Sequence, residues 1–338
     1  MKKYTQIILD KLLSLLPYNI NYTISFNDKS VLSLLNDDFN FIKDTEIKST
    51  ILLLQGPIIN FDYVLTSLKY YISSNSYKRI VISTWVNELS ILQKNELNKL
   101  ELIDLVENIK PVYYGISNIN LQILSTQNGL KYIQCNFPNS YVLKSRTDQR
   151  LLNVSINIYL KTLLSIYKIS DPILKNRIVI CNYNTYKYRI YSISDMFMFG
   201  DIFDLLLYWN VSLDHRSITL KDIQKPRTLK SWSKLNLAEV YLATNFFSQI
   251  NYNYNWTIAD YWKILDKFFI VIDDNSIGLE WNKYTLNNKN GTLNQFNLRE
   301  RFYNFSDWVI YKNNDLQYDF ETIENKLDFY ENVKIQKN

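Results

Sequence analysis

Short apolar runs, set apart by longer helical stretches, constrain this chain most. Residues 50–54 (TILLL), 79–85 (RIVISTW) and 141–144 (YVLK) are too short for buried helices and rich in β-branched or large apolar side chains. Between them, residues 61–73, 88–100 and 118–133 read as helices, and residues 102–106 as a weaker strand. Parallel strands need crossover connections, so this alternation predicts βαβ units. The expected fold is α/β, a Rossmann-like, mostly parallel sheet flanked by helices. Such sheets bind ligands at the carboxyl ends of their strands. Attention therefore falls on Gln55-Gly56-Pro57, Ser83-Thr84-Trp85 and Ser145-Arg146-Thr147-Asp148.

The second half carries a helix near 151–167 and a strand-like stretch, 177–181, leading to 188–192. The apolar segment 194–209 follows, then helical patterns at 237–247 and 258–268, and a strand at 268–273 leading into 277–284. The polar tail from Lys312 is expected to pack loosely. Neither GxGxxG nor GxxxxGK[ST] is present, which disfavours dinucleotide and P-loop folds.

Cys135 and Cys181 alone make neither a zinc framework nor a disulfide scaffold, and both are expected to be buried thiols. With His215 the single histidine, His-rich metal sites are excluded, and a Ser-His-Asp mechanism would have to run through that residue. A net charge of +5, spread without a basic stripe, suits a phosphorylated ligand better than nucleic acid.

No apolar run is long enough to cross a membrane. Asp10 and Lys11 break the N-terminal apolar stretch, which argues against a signal peptide. Ile7, Ile8, Leu12, Leu15 and Leu16 fall at helical spacing, so residues 1–48 are expected to form a helical extension. Its apolar stripe suits packing on the domain, or resting on a membrane surface.

The most informative stretch is YVLKSRTDQR, 141–150. Alternation puts Lys144, Arg146 and Asp148 on one side of an extended chain. A carboxylate between cations suits a diphosphate with a divalent metal, Mn or Mg, with Asp148 on the metal and Arg146 or Lys144 on phosphate. The plainer reading is a surface salt-bridge cluster. Asp195 can serve as an acid or base, or cap the helix expected over 196–209. Asp273 and Asp274 read as turn residues. Asn118, Asn120, Gln122, Ser125 and Thr126 form a polar helix start able to hydrogen-bond a nucleotide or simply to cap. Of Trp209, Trp232, Trp256, Trp262 and Trp281, at most one or two are expected outside the core.

YVLKSRTDQR, together with LQGPI (54–58), IVISTW (80–85) and SDMFMFGDIFDLLLYW (194–209), resembles the WavE family, associated with lipopolysaccharide and surface-glycan synthesis. The resemblance spans about residues 51–311 and implies a GT-A-like glycosyltransferase. It implies a domain over 49–311, with a nucleotide-binding half at 49–150, an acceptor half at 151–311, and a polar tail at 312–338. Arg146-Thr147-Asp148 then stands where such enzymes carry Asp-x-Asp, with only the last acid kept. Phe199-Gly200 resembles the glycine loop lining the donor sugar. Ala238-Glu239 resembles the position of the catalytic base of inverting members. Gln55, Gly56, Pro57 and Thr84 would meet the nucleotide, and Lys283 would lie near the diphosphate.

The expected function is transfer of a sugar from a nucleotide-sugar donor to a glycan or glycolipid hydroxyl, in the cytoplasm or at the inner face of its membrane. Two alternatives are a non-catalytic glycan-binding protein and a transferase of a nucleotide-activated sugar or polyol phosphate.

Overall fold

The computed structural model describes residues 50–224, 228–281, 301–313 and 317–329. Among the described residues the strands are β1 (Thr50–Gln55), β2 (Arg79–Trp85), β3 (Ile103–Asn108), β4 (Tyr141–Arg146), β5 (Gln149–Leu151), β6 (Ile178–Cys181), β7 (Met198–Asp201), β8 (Phe269–Ile272) and β9 (Leu279–Trp281). Seven of them form one sheet in the order β3-β2-β1-β4-β7-β6-β8, while β5 and β9 pair separately. Within the large sheet only β7 runs antiparallel to its neighbours. The α/β, mostly parallel architecture expected from the sequence is therefore present. Strand order reverses between β1 and β4, the place where such sheets open a crevice.

The apolar runs form these strands because both sheet faces are covered. All six residues of β1 are buried, as are Ile80 to Trp85 of β2. The crossovers are α1 (Phe61–Ser73), α2 (Ile91–Asn98) and α3 (Ile119–Asn136). The side chain of Asn60 accepts from Tyr63 N to start α1, and Ser90 with Gln93 forms a capping box on α2. Helix α3 lies so close to the sheet that a methyl group on Gly129 would sit 2.5 Å from Leu53 Cδ1.

The second half adds α4 (Ile156–Ile166), α5 (Ile202–Trp209), α6 (Leu220–Gln224), α7 (Leu229–Ser233), α8 (Glu239–Gln249), α9 (Ile258–Phe268), α10 (Phe305–Lys312) and α11 (Phe320–Phe329). Segment 194–209 is not one helix. It enters the sheet as β7 and only then turns into α5, whose cap is Asp201, accepting from Phe203 N at 2.9 Å. The cap role considered for Asp195 is thus taken by another aspartate. Residues 188–192 are irregular, with Tyr191 in left-handed backbone at φ +62°. Cys181 is buried as expected, but Cys135 is exposed, near the end of α3. The expected N-terminal extension lies outside the described residues. In the tail, the Glu324 carboxylate of α11 accepts from the Ile258 amide at the start of α9. No helix among the described residues is long and apolar enough to cross a membrane.

Candidate functional site

Strands β1, β4 and β6 all deliver their carboxyl ends to one edge, where the antiparallel β7 begins. At the switch point the β1 and β4 exits are laced together. The Thr147 amide donates to the Gln55 carbonyl (3.1 Å), and Thr147 Oγ1 donates to the Pro57 carbonyl (2.7 Å). Gly56 adopts φ +117° there, and its amide donates to the Ser83 carbonyl at 3.0 Å. The Gln55 and Thr84 side chains, placed by sequence against a nucleotide, are buried in the scaffold. Gln55 Oε1 accepts from Ser125 Oγ at 2.8 Å. Thr84 Oγ1 donates to the Glu88 carboxylate, which also accepts the Ile58 amide. The Gly56 amide and the Pro57 carbonyl are spent in the same lacing.

Arg146, at the end of β4, holds Asp148 in a two-pronged pair, Nε–Oδ1 2.8 Å and Nη2–Oδ2 2.9 Å. Burial alone would raise the Asp148 pKa, but the guanidinium overcomes it and the carboxyl sits below its ordinary range. The Trp281 ring lies under Arg146, 5.6 Å from its Cζ. Both Asp148 oxygens are thus committed. Among the described residues, no group of three or more His, Cys, Asp or Glu converges on a point. The stretch thus forms, in this structure, the salt bridge that its sequence also allowed. Arg150 likewise serves the scaffold, reaching Ser67 Oγ (3.0 Å) and Glu280 (3.3 Å).

Lys144 does not join that pair. It is fully buried, its ammonium donates to the main-chain carbonyl of Asp195, and the Trp209 ring centre lies 4.8 Å away. Burial pulls its pKa down to about 8, partly offset by the Asp195 carboxylate.

Glu239 stands at the first position of α8. Its Oε1 accepts from Asn184 Nδ2 at 3.4 Å. Burial first, and the Asp195 carboxylate second, push its carboxyl up to about 7, against Arg189 and Asn184, which pull it down. The preceding residue, Ala238, is held at φ +41°, in backbone that a residue with a Cβ rarely adopts. Strain of this kind persists only where the surroundings impose it, and it gathers at functional sites. The structure thus brings together Lys144, Asp195 and Glu239, three of the residues named from sequence.

The irregular stretch 182–197 that carries Asn184, Arg189 and Asp195 is fastened by its neighbours. Thr185 Oγ1 donates to the Cys181 carbonyl (2.7 Å) and accepts from the Ser194 amide (3.2 Å). Tyr261 OH donates to the Ser192 carbonyl at 2.9 Å, and Trp262 Nε1 to that of Lys187 at 2.9 Å. Helix α9 supplies both rings, so its apolar face doubles as the support of the site.

Gly200 corrects a sequence expectation. It lies inside β7 opposite Val142, four residues back along β4 from Arg146, and a Cβ there would make only ordinary contacts. The segment at the carboxyl ends of β4 and β6 is the one that precedes β7, not the glycine. Asn120 is taken up between the Tyr113 and Asp214 carbonyls (3.0 and 2.8 Å). Asp273 Oδ1 accepts from the Phe305 amide (3.1 Å), a structural contact at a turn. His215 is exposed. Trp209, Trp262 and Trp281 are buried, which leaves Trp232 and Trp256 partly open. Lys283 lies outside the described residues.

Sequence reasoning missed Asn184 and Arg189. Arg189 is stacked between Tyr186 and Trp232, with Cζ 3.8 and 4.9 Å from the ring centres. Only the alternation of Asn and Tyr with Arg in CNYNTYKYRIY, residues 181–191, hinted at them.

The chain matches no family model and no curated protein. Among solved structures, 4-diphosphocytidyl-2C-methyl-D-erythritol synthase from Anaerococcus prevotii overlays at TM-score 0.38 and 14% identity, over 74% of this chain and 96% of its own. A glycosyltransferase involved in the glycosylation of the major capsid of PBCV-1 overlays at TM-score 0.27 and 13% identity, over 48% of this chain and 65% of its own.

Proposed function

We propose that this chain is a glycosyltransferase that moves a sugar from a nucleotide-sugar donor to a hydroxyl of a cell-surface glycan, such as a lipopolysaccharide core or capsule. One observation carries the reading. Glu239 is a carboxyl pushed up to about 7, at the carboxyl edge of a mostly parallel sheet, beside Asp195 and behind the strained Ala238. A group with such a pKa is suited to general-base work near neutral pH. Glu239 takes the proton of the acceptor hydroxyl, the acceptor oxygen bonds to the anomeric carbon, and the bond from that carbon to phosphate breaks. The electron pair leaves with the nucleoside diphosphate, and configuration inverts. Asp195 keeps Glu239 basic and accepts from a sugar hydroxyl.

Arg146 is the cation at the switch point, and the departing diphosphate draws it away from Asp148. The backbone at Gly56 and Pro57 forms the wall against the nucleoside. Trp232, partly open beside Arg189, gives an acceptor sugar a ring to stack on. No step of this reading is routed through a metal ion, and Asp148, which both prongs of Arg146 engage in the structure, serves to hold Arg146 until the diphosphate arrives. The resemblance of YVLKSRTDQR and SDMFMFG to the WavE family supports the surface-glycan acceptor. An acceptor carried on lipid would be met at the inner face of the membrane.

The test is thermal unfolding against a panel of nucleotide sugars, followed by product mass for the donor that binds. A donor at about 100 times its dissociation constant stabilises by roughly 2.7 kcal/mol. A shift with one donor, and a product heavier by one sugar, is the expected result. A mass gain of sugar plus phosphate moves the reading to phosphosugar transfer. No shift with any donor, and a shift with free glycan, overturns the transferase reading in favour of glycan binding.

A further inference from the structure

We infer that Arg216 is a positioning residue for Glu239, acting through the two carbonyls of the loop that delivers it; the inference rests on Glu239 being the base. The chain of contacts begins at a rigid element. Asn120 lies in the first turn of α3, the helix packed on the sheet at Gly129. The Asp214 amide donates to Asn120 Oδ1 at 2.6 Å, and Asn120 Nδ2 donates to the Asp214 carbonyl at 2.8 Å. Asp214 is thereby fixed and buried. Its carboxylate takes Arg216 in a two-pronged pair, Nε–Oδ1 2.8 Å and Nη2–Oδ2 2.9 Å.

The guanidinium then turns to the loop before α8. Nη1 donates to the Leu235 carbonyl at 3.2 Å, and Nη2 to the Asn236 carbonyl at 2.6 Å. The Tyr241 ring, on the first turns of α8, lies 4.8 Å from Arg216 Cζ. The loop that it grips is strained, with Asn236 at φ +58° and Ala238 at φ +41°. Asn236 is held further by Thr244 Oγ1, which donates to its Oδ1 at 2.8 Å. Left-handed backbone at two non-glycine residues needs surroundings that over-determine it. A planar fork that reaches one carboxylate and two carbonyls at once provides that restraint, which a lysine, as a single-point donor, does not. Released from it, the loop relaxes towards ordinary φ, and Glu239 turns away from Asn184 and Asp195 towards water.

The experiment is a carbon-13 NMR titration of the Glu239 carboxyl in the full chain, assigned by its loss in Glu239→Gln. It compares wild type with Arg216→Lys and with the double variant Asp214→Asn, Arg216→Gln. The double variant removes both charges, so no buried carboxylate is left unpaired should Arg216→Lys fail to fold. The expected wild-type midpoint is about 7, and in the folded variants it falls towards the ordinary 4.5. A purely structural role for Arg216 would lower the unfolding temperature and leave that midpoint in place. A raised wild-type midpoint that stays raised in both variants overturns the clamp and leaves the base reading standing. A wild-type midpoint at the ordinary value overturns the base reading and the clamp with it.

Discussion

The ammonium of Lys144, in the middle of the sheet, donates to the main-chain carbonyl of Asp195 in the segment leading into β7. A strand lysine thus fixes the backbone of a candidate site residue across two neighbouring strands. The sign of its pKa shift gives a first prediction. Its pKa is about 8 in the fold, by burial, against 10.5 for the ordinary side chain. Below pH 8 both states hold the proton, and the fold bears the full penalty of a buried charge. Between pH 8 and 10.5 the unfolded chain binds more proton, so stability rises with pH. The gain is on the order of 3 kcal/mol at most. Denaturant unfolding of wild type and Lys144→Met at pH 7.5 and pH 10 isolates it, since the many tyrosines titrate in both. The wild type is expected to gain on the variant at the higher pH; parallel curves would refute the buried-ammonium account.

What was legible in the sequence follows from what periodicity and residue type record. The runs at 50–54, 79–85 and 141–144 declared a parallel sheet because strands buried on both faces must be apolar throughout. Glu239 was singled out only through a resemblance, because nothing in AEVYLATNFF sets it apart from an ordinary first-turn acid. The pairing of Arg146 with Asp148 was foreseen as the plainer alternative to a metal ligand, since alternation puts the two side chains together but cannot say which partner each takes. Gly200 was assigned to a donor-sugar loop through the resemblance alone, whereas here it is a strand residue facing Leu205 and Ile178. Asp195 and Asp201 could not be ranked as caps without knowing that a short strand interrupts the segment. The clamp at Arg216 joins residues far apart in sequence, Asn120 to Asn236, and no local pattern reports it.

Glu239→Gln is expected to lower turnover by about 100- to 10,000-fold, the range that a positioned base contributes. Substrate affinity should change little, since the amide keeps the shape. In the wild type the rate should rise with pH through about 7, as the carboxyl loses its proton. The same group makes a stability prediction of opposite sense. A carboxyl raised in the fold holds its proton where the unfolded chain has lost it, so its contribution is fully present below 4.5 and is lost as pH rises through about 7. Glu239→Gln should therefore be more stable than wild type at pH 8 while being less active. A variant that is both inactive and less stable at pH 8 would mean that Glu239 serves the scaffold.

At Asp148 the direction reverses. Its pKa lies below the ordinary 3.8 because Arg146 overcomes burial, so its stabilising contribution is present above 3.8 and is lost as pH falls through the lower folded value. Asp148→Asn should flatten the acid limb of the stability curve relative to wild type. The same variant tests the role of the pair at the site. If the diphosphate draws on Arg146, removing its competitor leaves donor binding intact or stronger, and Arg146→Ala weakens it by about 10-fold or more, the worth of one charge-assisted contact. Calorimetric titration with the free nucleoside diphosphate, with and without manganese, reads both. A manganese-dependent affinity that Asp148→Asn abolishes would overturn this account and restore Asp148 as a metal ligand.

The loop at Gly56 supplies the last prediction. Its φ of +117° is open to glycine and strained for any residue with a Cβ, and the added methyl of alanine would also lie 3.4 Å from Thr147 Oγ1. Gly56→Ala is therefore expected to destabilise the fold by about 1–3 kcal/mol. The contact distance is near the ordinary range, so most of the loss should come from the backbone. Pairing the substitution with Thr147→Ala separates the two causes. That second change removes the hydroxyl together with its bond to the Pro57 carbonyl. If the backbone dominates, the double variant is less stable than either single one, by close to the sum of the two losses. Because Gly56 and Pro57 form the wall proposed for the nucleoside, donor affinity should fall in Gly56→Ala even at temperatures where the variant is fully folded. Recovery of stability in the double variant would assign the loss to the side-chain contact and overturn the backbone explanation.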